Sequence, residues 1–252
     1  MKKQYYFLAC ALPVLKINGK LDISFTEVKD MLDLNLSEDD LTVVNQFLQF
    51  IDLLNLRLLW LDRPLDLRGT LNRKELDKAQ ETGEGLPQYV SDFLTRFEST
   101  EDRLHNFAYL LTQFFAQTYS GFLKRYFQFE RNWRLVVSAI RAKKLGRDIT
   151  QELQYEDFQD PLVAYILAQK DMENFEPPED FSGLKDLFSK YTDPLELHKA
   201  FLEYRFSKVG EMVENESFTI DLIIGYLAQL LIVEDWAKLN KTQGKEIVDS
   251  LT

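Results

Sequence analysis

The chain has 252 residues, 45% of them hydrophobic, with a formal net charge of -11 and a pI near 4.8. That is enough apolar material for one large domain or for two or three small bundles. The charge argues against a general nucleic-acid-binding surface, because phosphate neutralisation supplies most non-specific affinity and this surface repels a polyanion on average. Glycine (10) and proline (7) are sparse while Leu, Glu, Asp, Lys and Phe dominate, so the predicted fold class is all-α. The single cysteine, Cys10, leaves no internal disulfide framework and no cysteine-based metal site, and points to a reducing compartment.

Residues 5–15 are an apolar run whose periodicity does not decide between a strand and a first helical turn. Lys2-Lys3 before YYFLACALPVL imitates a short signal peptide, but the charged stub is minimal and no typical cleavage region follows, so the run is expected to belong to the folded protein. Helical patterning starts at Ser24 or Thr26. Ser37 with Glu38, Asp39 and Asp40 then reads as an N-cap with an acidic first turn, opening a helix over 38–61 with Leu41, Val44, Phe47, Leu48, Ile51, Leu54 and Leu58 on its buried stripe. Pro64 stops it.

The expected organisation is an N-terminal helical unit over 1–65, a polar linker over 66–88, a central unit over 89–150, an acidic connecting segment over 151–183 and a C-terminal unit over 184–252. The linker reading rests on the polar composition of 66–88 and on Gly83 and Gly85. Ile220 to Trp236 is apolar on all sides, but Asp221, Gln229, Glu234 and Asp235 leave it short of the roughly 20 clean residues a bilayer span requires, so it is expected to be a central core helix. Leu104-His105 and Leu197-His198 each read as opening a helix, followed by helices holding Trp133 and Trp236. Asp52-Leu-Leu-Asn55-Leu56-Arg57 echoes Asn132-Trp133-Arg134, which suggests related helical units.

The stretch 119–146, YSGFLKRYFQFERNWRLVVSAIRAKKLG, stands out. Phe122, Tyr126, Phe129, Trp133, Val136, Val137 and Ile140 recur at spacings of three and four, the stripe of a helix about seven turns long. Its other sides carry Lys124, Arg125, Arg131, Arg134, Arg141, Lys143 and Lys144 against only Glu130, in an acidic protein. Arg134 and Arg141, seven residues apart, share one side beside the stripe. A partly buried Arg there needs a planar acceptor, inside the fold or on a partner.

No glycine-rich phosphate loop, His-x-x-x-His pair or calcium-spaced acidic cluster is present. The carboxylate pairs Glu156-Asp157 and Glu234-Asp235 read as solvated caps, and the two histidines as packed or solvent-facing, so no catalytic residue, metal ligand or cofactor is expected.

In FERNWRLVVSAIRAKKLG, Glu130 precedes Asn132 and Trp133, then Arg134, Arg141, Lys143 and Gly146 follow; YLAQLLIVEDWAKLNKTQGKEIV from Tyr226 and YYFLACALP at the start add to the pattern. These stretches resemble the central-stalk subunit of V-type and archaeal-type rotary ATPases known as the C-type or d-type, most closely over 119–148. The last stretch has Lys241 and Gly244 but no Arg-x-Lys. The resemblance implies two or three related helical bundle units in an elongated or funnel-shaped protein, which binds no nucleotide and couples the membrane rotor ring to the central shaft. It implies a cytoplasmic protein held peripherally at the membrane, with Asn132, Arg134, Arg141 and Lys143 fixing a helical unit or contacting ring or shaft. The alternatives are a stand-alone cytosolic helical adaptor and a nucleic-acid-binding module stacking bases on Tyr126, Phe127 and Trp133.

Overall fold

The computed structural model describes residues 3–239, and among them are thirteen α-helices, one 3₁₀ turn and no strand, which bears out the all-α class. The apolar run near the start is a short helix, α1 (Tyr6–Ala11), with only Leu8 buried. α2 (Phe25–Asn35) begins at a reciprocal capping box: Ser24 Oγ accepts from Glu27 N–H, and the Glu27 carboxylate accepts from Ser24 N–H. Ser37 caps α3 (Glu38–Trp60) by accepting from Asp40 N–H, and the chain turns out of the helix through Asp62 at φ 50.

Residues 66–88, expected as a linker, instead carry a helix. α4 (Arg73–Thr82) has an Asn72/Glu75 capping box and a left-handed Gly83 cap, and it buries Leu76 and Ala79. The loop before it is fastened to α3. Asp52, buried on α3, accepts from Thr70 N–H at 2.8 Å, Leu71 N–H at 3.1 Å and Thr70 Oγ1 at 2.5 Å, while Asn55 donates to Asp66 O and accepts from Asp66 N–H, both at 2.8 Å. Arg68 ties the same loop to the far end of the chain through Glu234 at 3.2 Å and Asp235 at 2.7 Å. α3 therefore buries two polar residues beside its apolar stripe, and Leu54, expected inside, is 38% exposed.

α5 (Gln88–Arg96), α6 (Thr100–His105) and α7 (Phe107–Phe115) follow, with the chain breaking between the last two at Asn106. The long α8 (Gly121–Lys144) ends in a Schellman turn, with Arg147 N–H bonded to Ala142 O and Gly146 N–H to Lys143 O. Gly146 stands there at φ 63, a conformation that strains any residue with a Cβ. α9 (Ile149–Glu152), α10 (Pro161–Leu167), the 3₁₀ turn Glu179–Phe181, α11 (Ser182–Lys190), α12 (Pro194–Val213) and α13 (Ile220–Lys238) complete the order.

Burial divides the molecule into two cores that do not follow the expected sequence-contiguous units. The first holds apolar residues of α1 to α5, α7 and α13 together with Phe122, Leu123, Tyr126 and Phe127 of α8 and Leu202, Val209 and Val213 of α12. The second holds α8 from Phe129 to Ala142, then α9, α10, α11 and Phe201 of α12. α8 and α12 thus belong to both, and the expected C-terminal unit is split between them. A large aliphatic or aromatic side chain fully buried contributes about 1.5–3 kcal/mol, so each half of α8 is anchored many times over.

α13 is the central helix expected from its composition, burying Ile223, Ile224, Leu227, Ala228 and Leu230. Gly225 lets α12 approach: a Cβ there would fall 2.4 Å from Val213 Cγ1. Among the described residues no helix is long and apolar enough to cross a membrane. The two Leu-His pairs are not equivalent, since His105 closes α6 whereas His198 lies in the second turn of α12. Lys241 and Gly244 lie outside the described residues.

Asp52→Ala should cost about 2–4 kcal/mol in urea unfolding, because it strands two buried amides, whereas Asp52→Asn should stay within about 1 kcal/mol: its Oδ1 accepts both amides and its Nδ2 donates to Thr70 Oγ1. Burial pushes the Asp52 carboxyl up, against the lowering effect of its bonds to Thr70 and Leu71. A raised native value means that this group's contribution is complete below the unfolded value of about 3.9 and is lost as pH rises through the native value. The Asn variant should therefore gain on the wild type as pH rises from 4 to 7, and a constant difference would refute the assignment.

Candidate functional site

The basic helix spends most of its charge inside the protein. Glu156, which follows α9 and is buried, is the planar acceptor that Arg134 requires. It also accepts from Arg131 at 2.9 Å and from Thr112 Oγ1 at 2.7 Å, while Arg131 reaches Asp160, the N-cap of α10, at 3.1 Å. Nothing in the local sequence distinguishes Glu156 from the solvated carboxylate it was expected to be. Glu234 and Asp235 likewise hold Arg68 instead of standing free in solvent. Burial pushes the Arg134 guanidinium below its ordinary value, Glu156 opposes the shift and Arg131 adds to it.

The other residues of the basic pattern separate by role. Lys143 donates to the carbonyls of Lys170 and Met172, closing the turn after α10. Asn132 accepts from Gln128 at 2.9 Å on the same helix and from Arg131. Both are fixed by intramolecular bonds. Tyr126 and Phe127 lie in the first core at 4% and 1% exposure, so two of the three rings named for base stacking are not available to a nucleic acid, whereas Trp133 is half-buried. Arg141 differs from all of these, being exposed with no hydrogen bond or ion pair among the described residues.

Arg141 faces an open groove of about 370 Å³ along the seam of the two cores. Four helices form it. α3 supplies Phe50 and Leu54, α7 supplies Leu111 and Phe115, α8 supplies Glu130, Trp133, Arg134 and Arg141, and α12 supplies His198, Phe201 and Arg205. Glu130 is buried and accepts from Arg205 Nε at 3.1 Å and Nη2 at 2.6 Å, an ion pair joining α8 to α12 across the seam. The Glu130 charge holds Arg205 above the ordinary arginine value although burial acts the other way. At the groove edge, His198 is pushed below its usual value chiefly by desolvation and then by Arg205, with Arg141 adding to the effect and Asp235 opposing it. The Arg134 guanidinium stands 5.9 Å from the centre of the Phe115 ring, and its Nε is buried without a hydrogen-bond partner.

Sequence reasoning placed Arg134 and Arg141 together, and the structure puts both on this groove with Arg205 and His198 opposite. It missed Arg205, whose signal is faint: an arginine among the apolar residues of a long helix. Among the described residues no group of three or more His, Cys, Asp or Glu is placed to hold a metal. The groove offers cationic donors and aromatic walls, a combination chemically suited to an anion attached to an apolar body.

Glu156→Ala should cost about 2–5 kcal/mol, because it removes the buried carboxylate shared by half-buried Arg131 and Arg134. Arg141→Ala, which breaks nothing, should change stability by no more than about 0.5 kcal/mol. Chemical denaturation separates the two, and a large loss for Arg141→Ala would contradict its placement.

Similarity to other proteins extends over the whole fold and not over the groove alone. Proteins of Chlamydia muridarum and Chlamydia trachomatis serovar D, each described as an uncharacterized protein, are 30% identical over 256 and 258 residues, covering 98% of this chain and 96% of each relative. A third, from Chlamydia pneumoniae, is 30% identical over 98% of this chain and 97% of its own length. No solved structure matches. The family model described as Protein of unknown function (DUF2764) matches residues 1–252, and the chain belongs to that family.

Proposed function

We propose that this protein is a non-catalytic central-stalk subunit of a V-type ATPase or ATP synthase, coupling the membrane rotor ring to the rotating shaft during proton or sodium transport. The observation that carries the reading is the sharing of α8 and α12 between two cores. A load applied to one core passes to the other along a continuous 24-residue helix, about 36 Å long, with no hinge at the crossing. The likeness of FERNWRLVVSAIRAKKLG to the C-type stalk protein of rotary ATPases supports the same reading. Torque transmission needs shape and stiffness and no reacting group, which fits a chain whose buried charges are spent on joining helices.

Within this reading the pattern residues divide. Arg134 and Lys143 hold the fold through Glu156 and the turn after α10, Asn132 stays on its own helix, and Arg141 is left as the contact residue. Attachment is peripheral, on the cytoplasmic face. A stand-alone helical adaptor is the second reading, and the open groove favours it equally because a partner site serves either role.

Affinity purification of the tagged protein from its own cells in mild detergent, with mass spectrometry, decides between them. Rotor-ring and catalytic-head subunits in fixed ratio are the expected result. A clean monomer, or an unrelated partner alone, overturns the rotary reading.

A further inference from the structure

The seam groove concentrates positive charge in a strongly acidic protein. Arg134, Arg141 and Arg205 face it; Arg205 is paired with Glu130, whose Oε1 takes two of its N–H bonds, and Arg134 with Glu156 outside the lining, which leaves Arg141 as the unneutralised charge. Donor capacity is left over: Arg141 is unpaired, and Nη1 of Arg134 makes no hydrogen bond among the described residues. Between these donors stand Leu54, Phe115 and half-buried Trp133, an apolar surface open to solvent along its length. Arginine forks framed by aromatic rings are the side chains that dominate binding energy at protein interfaces.

We infer that the groove is the docking site for an acidic amphipathic helix of a partner protein, one that places a carboxylate within one turn of its apolar anchors. Charge complementarity selects this occupant. A second copy of the chain carries its own -11 and is repelled outside the groove, and an anionic membrane or a nucleic acid meets the same repulsion from the surrounding surface. A short acidic helix on an otherwise basic partner is attracted by both parts: its carboxylates meet the arginine forks, and its basic surroundings meet the acidic exterior. An apolar face spaced i, i+3, i+4 fits a trough walled by helices. The inference stands apart from the rotary reading, since it follows from the groove whichever complex the partner belongs to.

The test places a photo-crosslinking phenylalanine analogue at Ser138, which lines the groove, in the full-length tagged chain in its own cells, with the crosslinked peptide sequenced by mass spectrometry. The expected product is one partner segment with Glu or Asp within a helical turn of apolar residues. Adding Arg141→Glu should lower its yield at least tenfold, Lys124→Glu away from the groove should leave it unchanged, and reversing the partner's carboxylate to Arg should restore the yield in the Arg141→Glu chain. No crosslink, a crosslink insensitive to Arg141→Glu, a segment without a carboxylate, or attachment to lipid or nucleic acid overturns the inference. An acidic helix from a protein outside the ATPase would uphold the groove and defeat the rotary reading; ATPase subunits that co-purify with no groove crosslink would do the reverse.

Discussion

The ion pair between Glu130 and Arg205 sits where two long helices pass from one core to the other, and the relation of the cores depends on it. On α8 the change from the first core to the second falls between Phe127 and Phe129, beside Glu130; on α12 it falls between Phe201 and Leu202. A crossing that served only hydrophobic burial would tolerate a slip of either helix along the other, because apolar contacts are non-directional. A buried carboxylate bonded to two nitrogens of one guanidinium does not, since a displacement leaves both charges desolvated and unpaired. The pair therefore fixes the register of the crossing, and with it the width of the groove that both residues line.

The same logic recurs at the other buried polar groups. Asp52 and Asn55 pin the loop before α4, Glu156 pins the segment after α9 to α7 and α8, and Gln169 bonds both N–H and C=O of Glu176 to close the turn after α10. Each lies where a connection returns to a helix, and each is satisfied by backbone or by an opposite charge. Apolar burial supplies most of the stability, and these groups decide which arrangement of the helices is adopted. Destabilisation from changing them should be local and large, in contrast to exposed Arg141.

What the sequence disclosed follows from the range of the interaction involved. Ser24 and Ser37 are readable as caps because their partners lie three residues away. α13 is readable because its apolar surface is continuous. The helix within 66–88 escaped because only Leu76 and Ala79 are buried in it, and because the loop before it is held by polar residues of α3 that interrupt an apolar stripe. For the site, the demand of Arg134 for a planar acceptor was legible, but its answer was not, since Glu156 is 22 residues away; nor was the Glu130–Arg205 pair, whose members lie on different helices. The groove needs α3, α7, α8 and α12 together, and no local pattern encodes a surface assembled from such distant segments.

Charge distribution follows from the same architecture. A chain of many short helices needs many N-termini, and each exposes unsatisfied N–H groups that favour a carboxylate. Glu27, Asp40, Glu75 and Asp102 stand in first turns beside capping Ser or Asn, while Asp148, Asp160 and Asp193 are caps themselves, each worth about 0.5–2 kcal/mol. Much of the net charge of -11 is thus a requirement of the fold as well as a property of its surface. The groove takes the middle and the last turn of α8 and the part of α12 beyond its first turn, away from those N-termini, so the acids that capping concentrates elsewhere leave Arg141 unneutralised. The positive site and the acidic exterior are two results of one arrangement of helices, and a partner that matches both signs meets complementary charge in the groove and around it.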